Sequence, residues 1–213
     1  MERVAEIDRI KELFKDNFIG LEELTPFFRK LGFSDSELNQ INIPVCNIAI
    51  DELPKYVKDY ILILGIRAIG DINLTIKFIR SKLGHDPDIS EPCFYNQDWY
   101  LKETFIDSHL ESKWYLIKKN VYENTRAIQP ADIIKDEIIF PSAVLCTYTF
   151  FANYFCYNNI LWEYDFIWCS DMDHNGDRIY VGKYRDIDKI NKNGFSIHRH
   201  LSLRPCYAAI DFF

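Results

Sequence analysis

Asp165-Phe166-Ile167-Trp168-Cys169-Ser170, then Asp171-Met172-Asp173-His174-Asn175-Gly176-Asp177, then Arg178-Ile179-Tyr180-Val181-Gly182-Lys183-Tyr184: this run decides the fold class, together with Phe195-Ser196-Ile197-His198-Arg199-His200-Leu201-Ser202-Leu203-Arg204 beyond a polar stretch. The three β-like segments are separated by polar loops. A strand sends alternate residues to opposite faces. In the last segment Phe195, Ile197, Leu201 and Leu203 share one face, interrupted by Arg199, and Ser196, His198, His200, Ser202 and Arg204 share the other. The alternation predicts an antiparallel sheet with one greasy and one polar side.

Two chemistries are open to that polar side. His198 and His200, at i and i+2, point the same way and can grip one metal ion through imidazole nitrogens. His174, Asp171 or Asp173 can complete the set from the adjacent loop, with His85 and His109 as further options. The same histidines can instead line a polar face and bond to Ser196 and Ser202. Arg199 and Arg204 suit a carboxylate or phosphate, because guanidinium meets such groups fork to fork.

The acidic loop also has two readings. Asp171, Asp173, Asn175 and Gly176 match the opening of a calcium-binding EF-hand loop, and Asp177 adds a carboxylate. The twelfth position is Gly182, where a bidentate Glu is needed, and the flanks read as strands. A hairpin turn explains the same residues, since Asp, Asn and Gly supply positive-φ conformations and side-chain-to-backbone bonds.

Working outward, the chain has 213 residues, of which 48% are hydrophobic and 15% aromatic, enough for a sizeable core. Net charge is −7. Residues 178–213 carry seven Lys/Arg against three Asp, or +4, which leaves −11 on residues 1–177. An acidic chain is poorly matched to phosphate backbones, which argues against nucleic acid as a partner. The basic tail suits either the acidic remainder of the chain or a small anionic ligand. No run approaches the ~20 apolar residues of a membrane span. Met1–Glu6 lacks the apolar stretch of a signal peptide, so a cytoplasmic location with reduced cysteines is expected. The six cysteines form no C-x-x-C pair; an export route would turn them toward disulfides.

Residues 1–85 are expected to be mainly helical: 1–17, Leu21–Leu31 with Pro26 limiting its start, an entry at Ser34–Glu37, Asp51–Ile66, and Asn73–Leu83. Ile41–Ile50 is expected as a short strand. His85–Pro92 is the expected boundary, with 86–213 a mixed domain. There Trp114–Lys118 reads as strand, Pro130–Lys135 as helix, and Ala143–Phe155 as helix or strand. Tyr95–Tyr100 can pack in the core or stack a sugar or base. No G-x-S-x-G elbow, Walker loop or G-x-G-x-x-G occurs.

Trp168-Cys169-Ser170, Arg178-Ile179-Tyr180-Val181, Leu201–Tyr207 and the upstream Phe140-Pro141-Ser142 resemble, in order, the W-S-S, A-W-Y-V, Y-V-R-P-V-R and L-P-T segments of a C-type-lectin-like fold. The version is that of formylglycine-generating-enzyme-like domains. The resemblance spans 94–213 at most and is strongest over 166–207. It implies a twisted sheet, two flanking helices and long loops that display a binding surface. The E-P-N, Q-P-D and W-N-D lectin motifs and the paired catalytic cysteines are absent, so neither sugar binding nor sulfatase activation is carried over.

The expectation is therefore an α+β protein: a helical N-terminal region packed on a C-type-lectin-like domain. Its function is a non-catalytic binding module for a protein or small anionic ligand, through Ser196, His198, His200, Arg204, Asp171, Asp173, Asn175 and Asp177, with no resident cofactor. The alternative is a metal-dependent hydrolase holding a divalent ion on His198, His200, Asp171 and Asp173. A structural subunit, docked through an apolar patch near Phe212-Phe213, is the third.

Overall fold

A computed structural model describes residues 2–86, 91–135, 138–184, 194–199 and 202–213. It is a mixed α+β arrangement built on two main sheets. The first helix, α1 (Glu2–Phe14), buries Ile10 and Phe14. It leads into β1 (Phe18–Ile19) and α2 (Leu21–Lys30). Gly20 caps α2, with its amide bonded to Glu23 Oε2 at 3.0 Å. Pro26 thus sits inside the helix rather than at its start. Its missing amide costs one intrahelical bond, while Phe27 and Phe28 beside it are fully buried. Ser34 and Glu37 form the expected capping box at the start of α3 (Asp35–Leu38).

Residues 42–48 are irregular, not a strand. Pro44 cannot donate to a ladder, and its carbonyl accepts from Trp114 Nε1 at 3.0 Å. The helix expected over Asp51–Ile66 is also absent. A 3-10 turn covers Ile50–Lys55, and Tyr60–Gly65 is strand β2. All six β2 residues are buried. A central strand covered on both faces reads as a continuous apolar run, which has no period to separate it from a helix.

A small hairpin, β3 (Ala68–Ile69) and β4 (Ile72–Asn73), precedes α4 (Ile76–Leu83). Strand β5 (Lys113–Lys118) then runs antiparallel to β2 along its full length, from Tyr60↔Lys118 to Gly65↔Lys113. Strand β1 is parallel to β2 on the other side. The first sheet therefore draws strands from both sides of the expected boundary near residue 86. Phe213 exchanges two backbone bonds with Leu116, at 2.9 and 3.0 Å, so residues 211–213 lie along β5.

The short helix α5 (Pro130–Lys135) forms as expected. The ambiguous stretch is α6 (Ala143–Tyr157), with Ser142 Oγ accepting from Leu145 N at 3.3 Å. Its face pattern is unreadable because it is apolar all round. Tyr148 Oη donates to Leu64 O of β2 at 3.0 Å, and Tyr157 Oη donates to Phe18 O of β1. Phe150 meets Phe195 of the second sheet at 4.7 Å between ring centroids. The helix thus lies between the two sheets.

That second sheet is formed by β6 (Phe166–Met172), β7 (Arg178–Tyr184), β8 (Gly194–Arg199) and β9 (Tyr207–Ala208), in the order β8-β7-β6-β9. It is antiparallel except for β9, which is parallel to β6. Ile167, Cys169, Ile179, Val181, Phe195 and Ile197 face the α6 core. The other face is covered as well. Phe166, Trp168, Tyr180 and Tyr207 pack there with Ile133, Phe140 and Leu203. The edge of β8 is closed by residues 93–95, through Phe195 N to Cys93 O and Tyr95 N to Phe195 O, both 2.8 Å. A side chain at Gly194 would meet that segment: an added Cβ would lie 2.5 Å from Tyr95 N.

Candidate functional site

The β6–β7 connection is a hairpin turn organised by Asp173. Its carboxylate Oδ1 accepts from Asn175 N at 2.8 Å and Asp177 N at 2.9 Å. Its amide donates to Asp177 O at 2.9 Å. Gly176 takes the positive φ, 83°, that the turn requires. The Asp173 side chain is fully covered, yet shallow in the protein. Burial pushes its carboxyl upward, but the amides of Asp177 and Asn175, with Arg199, outweigh that and hold it below the usual carboxylate range.

Arg199 Nη1 lies 3.4 Å from Asp173 Oδ2. The guanidinium also sits over the Trp99 ring, 5.5 Å from its centroid. On the far side of the turn, Glu103 holds His174 twice. Its Oε2 accepts from His174 N at 3.0 Å, and its Oε1 is 2.6 Å from His174 Nδ1. The Glu103 side chain is 8% exposed and that of His174 67% exposed. Glu103 lies between two 3-10 turns, Trp99–Lys102 and Thr104–Asp107. The turn is therefore braced from beneath by buried carboxylates, with His174, Asn175 and Gly176 exposed above.

The expected residues separate into three environments. Asp171 turns toward α6, where its Oδ2 accepts from Ala143 N at 2.6 Å, a helix N-terminal contact. Burial raises its carboxyl, opposed by the Ala143 amide, its own amide and Arg178. Asp173, Asn175 and Asp177 form the turn.

Ser196 and His198 lie on the opposite sheet face. Ser196 is fully buried, with Gln97 Oε1 at 3.5 Å. His198 stacks on Tyr180, ring centroids 5.5 Å apart, with Gln97 Nε2 3.2 Å from its Nε2. Burial, with Arg204 adding to it, pulls His198 down to about 4, so the ring is neutral at pH 7. The polar face expected of this strand is thus largely enclosed, because a second layer covers it.

Arg204 is exposed and lies beyond β8, in a turn where Tyr207 N bonds to its carbonyl at 3.0 Å. His200 lies outside the described residues, so its part in any ligand set does too. Asp171, Asp173 and His198 do not converge on one point. Among the described residues, the group that brings three ligand atoms within 4.8 Å of one another is Glu103, Asp173 and His174.

Sequence reasoning passed over Glu103, Gln97 and Trp99 in this role. The stretch Tyr95–Tyr100 was expected in the core or stacking on a ligand. Tyr100 is buried, whereas Trp99 is half-buried, donates to Ile197 O at 3.1 Å and carries Arg199 on its face. Arg80 fixes this stretch through Gln97 O at 3.1 Å and Asp98 Oδ1 at 3.0 Å. All six cysteines are free thiols. No helix among the described residues is long and apolar enough to cross a membrane.

Comparison of the chain with protein-family models, with curated proteins and with solved structures returned no match.

Proposed function

We propose that this chain is a non-catalytic binding module whose recognition surface is the β6–β7 turn with the adjoining His174, Asn175, Arg199 and Trp99. The observation that carries this is the double bracing of the turn. Asp173 satisfies two turn amides from a covered position, and Glu103 holds both the amide and the ring of His174. Such bracing fixes a polar, exposed loop before any partner arrives, which lowers the ordering cost of association. Carboxylate, imidazole and guanidinium side by side suit a polar partner, either a protein loop or a small anionic ligand. The sheet with α6 on one face supports a C-type-lectin-like scaffold, in which loops carry specificity and strands carry rigidity.

The test is a thermal-shift and binding screen of short peptides and of carboxylate- and phosphate-bearing metabolites. It runs on the wild type and on a His174→Ala/Asn175→Ala variant. Hits that bind the wild type and are lost from the equally stable variant are expected. Hits that bind both alike overturn the assignment of the surface, and a hit consumed during incubation overturns the non-catalytic role.

A further inference from the structure

We propose that the cluster of Glu103, Asp173 and His174 is a binding site for one divalent transition-metal ion, with zinc the best-matched; this deepens the preceding proposal and rests on the same turn being the functional surface. One ligand atom from each residue lies within 4.8 Å of the other two. A metal about 2.0–2.2 Å from each donor brings such atoms to roughly 3–4 Å apart, a small contraction from that span.

The orientation of the carboxylates matters more than their proximity. Asp173 spends Oδ1 on the amides of Asn175 and Asp177, which leaves Oδ2 for the cluster. Glu103 spends Oε2 on the amide of His174, which leaves Oε1 facing His174 Nδ1. Each carboxylate thus has one oxygen fixed by backbone, while Glu103 Oε1 turns to His174 and Asp173 Oδ2 to Arg199. That is how outer hydrogen bonds aim metal ligands.

Charge points the same way. Glu103 and Asp173 are both covered, and a guanidinium reaches only Asp173, its Oδ2 at 3.4 Å. Two covered carboxylates against one guanidinium leave an excess of acid, which burial makes costly. Glu103 Oε1 and His174 Nδ1 face one another 2.6 Å apart. A divalent ion held between them would supply positive charge to both carboxylates. Arg199 yields Asp173 Oδ2 without losing all its partners, since it already lies on Trp99. The exposed side of His174 leaves a fourth position for water or a partner's side chain. One nitrogen and two carboxylate oxygens suit zinc better than calcium, which takes six to eight oxygens.

The experiment uses the full chain, stripped with chelator and titrated with zinc chloride alone by calorimetry. Zinc retained after gel filtration is then measured by elemental analysis. One equivalent is expected to bind. Glu103→Gln and His174→Ala should each weaken binding at least tenfold, and His198→Phe should leave it unchanged. No stoichiometric zinc in the wild type, or equal binding in both site variants, overturns the metal site. If zinc is absent while the ligand hits still depend on His174 and Asn175, the metal fails and the recognition surface stands. If zinc binds as expected while those hits are indifferent to the turn, the surface fails instead.

Discussion

The two histidines His174 and His198 sit in neighbouring parts of one sheet, yet their surroundings are opposed. His198 is stacked on Tyr180 in an aromatic layer with Phe166 and Tyr207, and burial with Arg204 keeps it neutral. His174 stands at the lip of a turn, exposed, with its nitrogen on a covered carboxylate. The first region uses polar atoms to complete a packed layer. The second uses buried charge to present an exposed loop. What distinguishes them is what covers the strand rather than the strand itself. Where a second layer closes over the sheet, an alternate-residue pattern ceases to mark the solvent side.

Four experiments probe that contrast, in descending size. Trp168→Ala removes a fully buried ring whose neighbours are Tyr180 and Tyr207, about 5.5 Å away. It should cost about 3–5 kcal/mol in denaturant unfolding. A loss below about 1 kcal/mol would mean that the outer layer is loosely packed, and the contrast would weaken.

The second concerns acid. The folded pKa of His198, about 4, lies below its ordinary 6.5. Between those values the unfolded chain takes up a proton that the folded chain refuses. This contribution to stability is whole above about pH 6.5, declines as pH falls, and is flat below about pH 4. The shift corresponds to at most about 3 kcal/mol at 1.36 kcal/mol per unit. His198→Phe should flatten the acid limb of the stability curve. Coincident limbs in the two proteins would place His198 in contact with water.

Third, Asp173→Ala leaves two turn amides and Arg199 without their acceptor, and should lower stability by about 2 kcal/mol. Hydrogen exchange should localise the loss to residues 173–177. Last, His174→Ala should lower stability by no more than about 1 kcal/mol, because the ring is mostly exposed and Glu103 keeps the His174 amide. A larger loss in thermal or chemical melts would make His174 a packing residue, and the two histidines would no longer differ in kind.

Much of the sheet was legible in the sequence, for local reasons. Strands β6 and β7 are short apolar runs, and the Asp-Asn-Gly chemistry between them marks a hairpin. Ser34 with Glu37, and Pro130 at the start of α5, announce helix entries. Strand β2 was not legible, because Tyr60–Gly65 is covered on both faces and carries no period. Helix α6 was ambiguous for the same reason. Within the site, Asp173, Asn175 and Asp177 were legible as a turn. Glu103 was not, since it lies 71 residues from His174 and no nearby pattern sets it apart. Ser196 and His198 were assigned the right side of the strand and the wrong surroundings. The extension of β8 to Arg204 failed as well, since 202–206 turn back toward β9.

The placement of α6 has a mechanical consequence. A helix buried from Ala143 through Asn153 cannot let go of one sheet while keeping the other, because either parting opens greasy surface along most of its length. Both layers are therefore obliged to melt together when the core opens, while a loosened polar turn at the rim opens by itself.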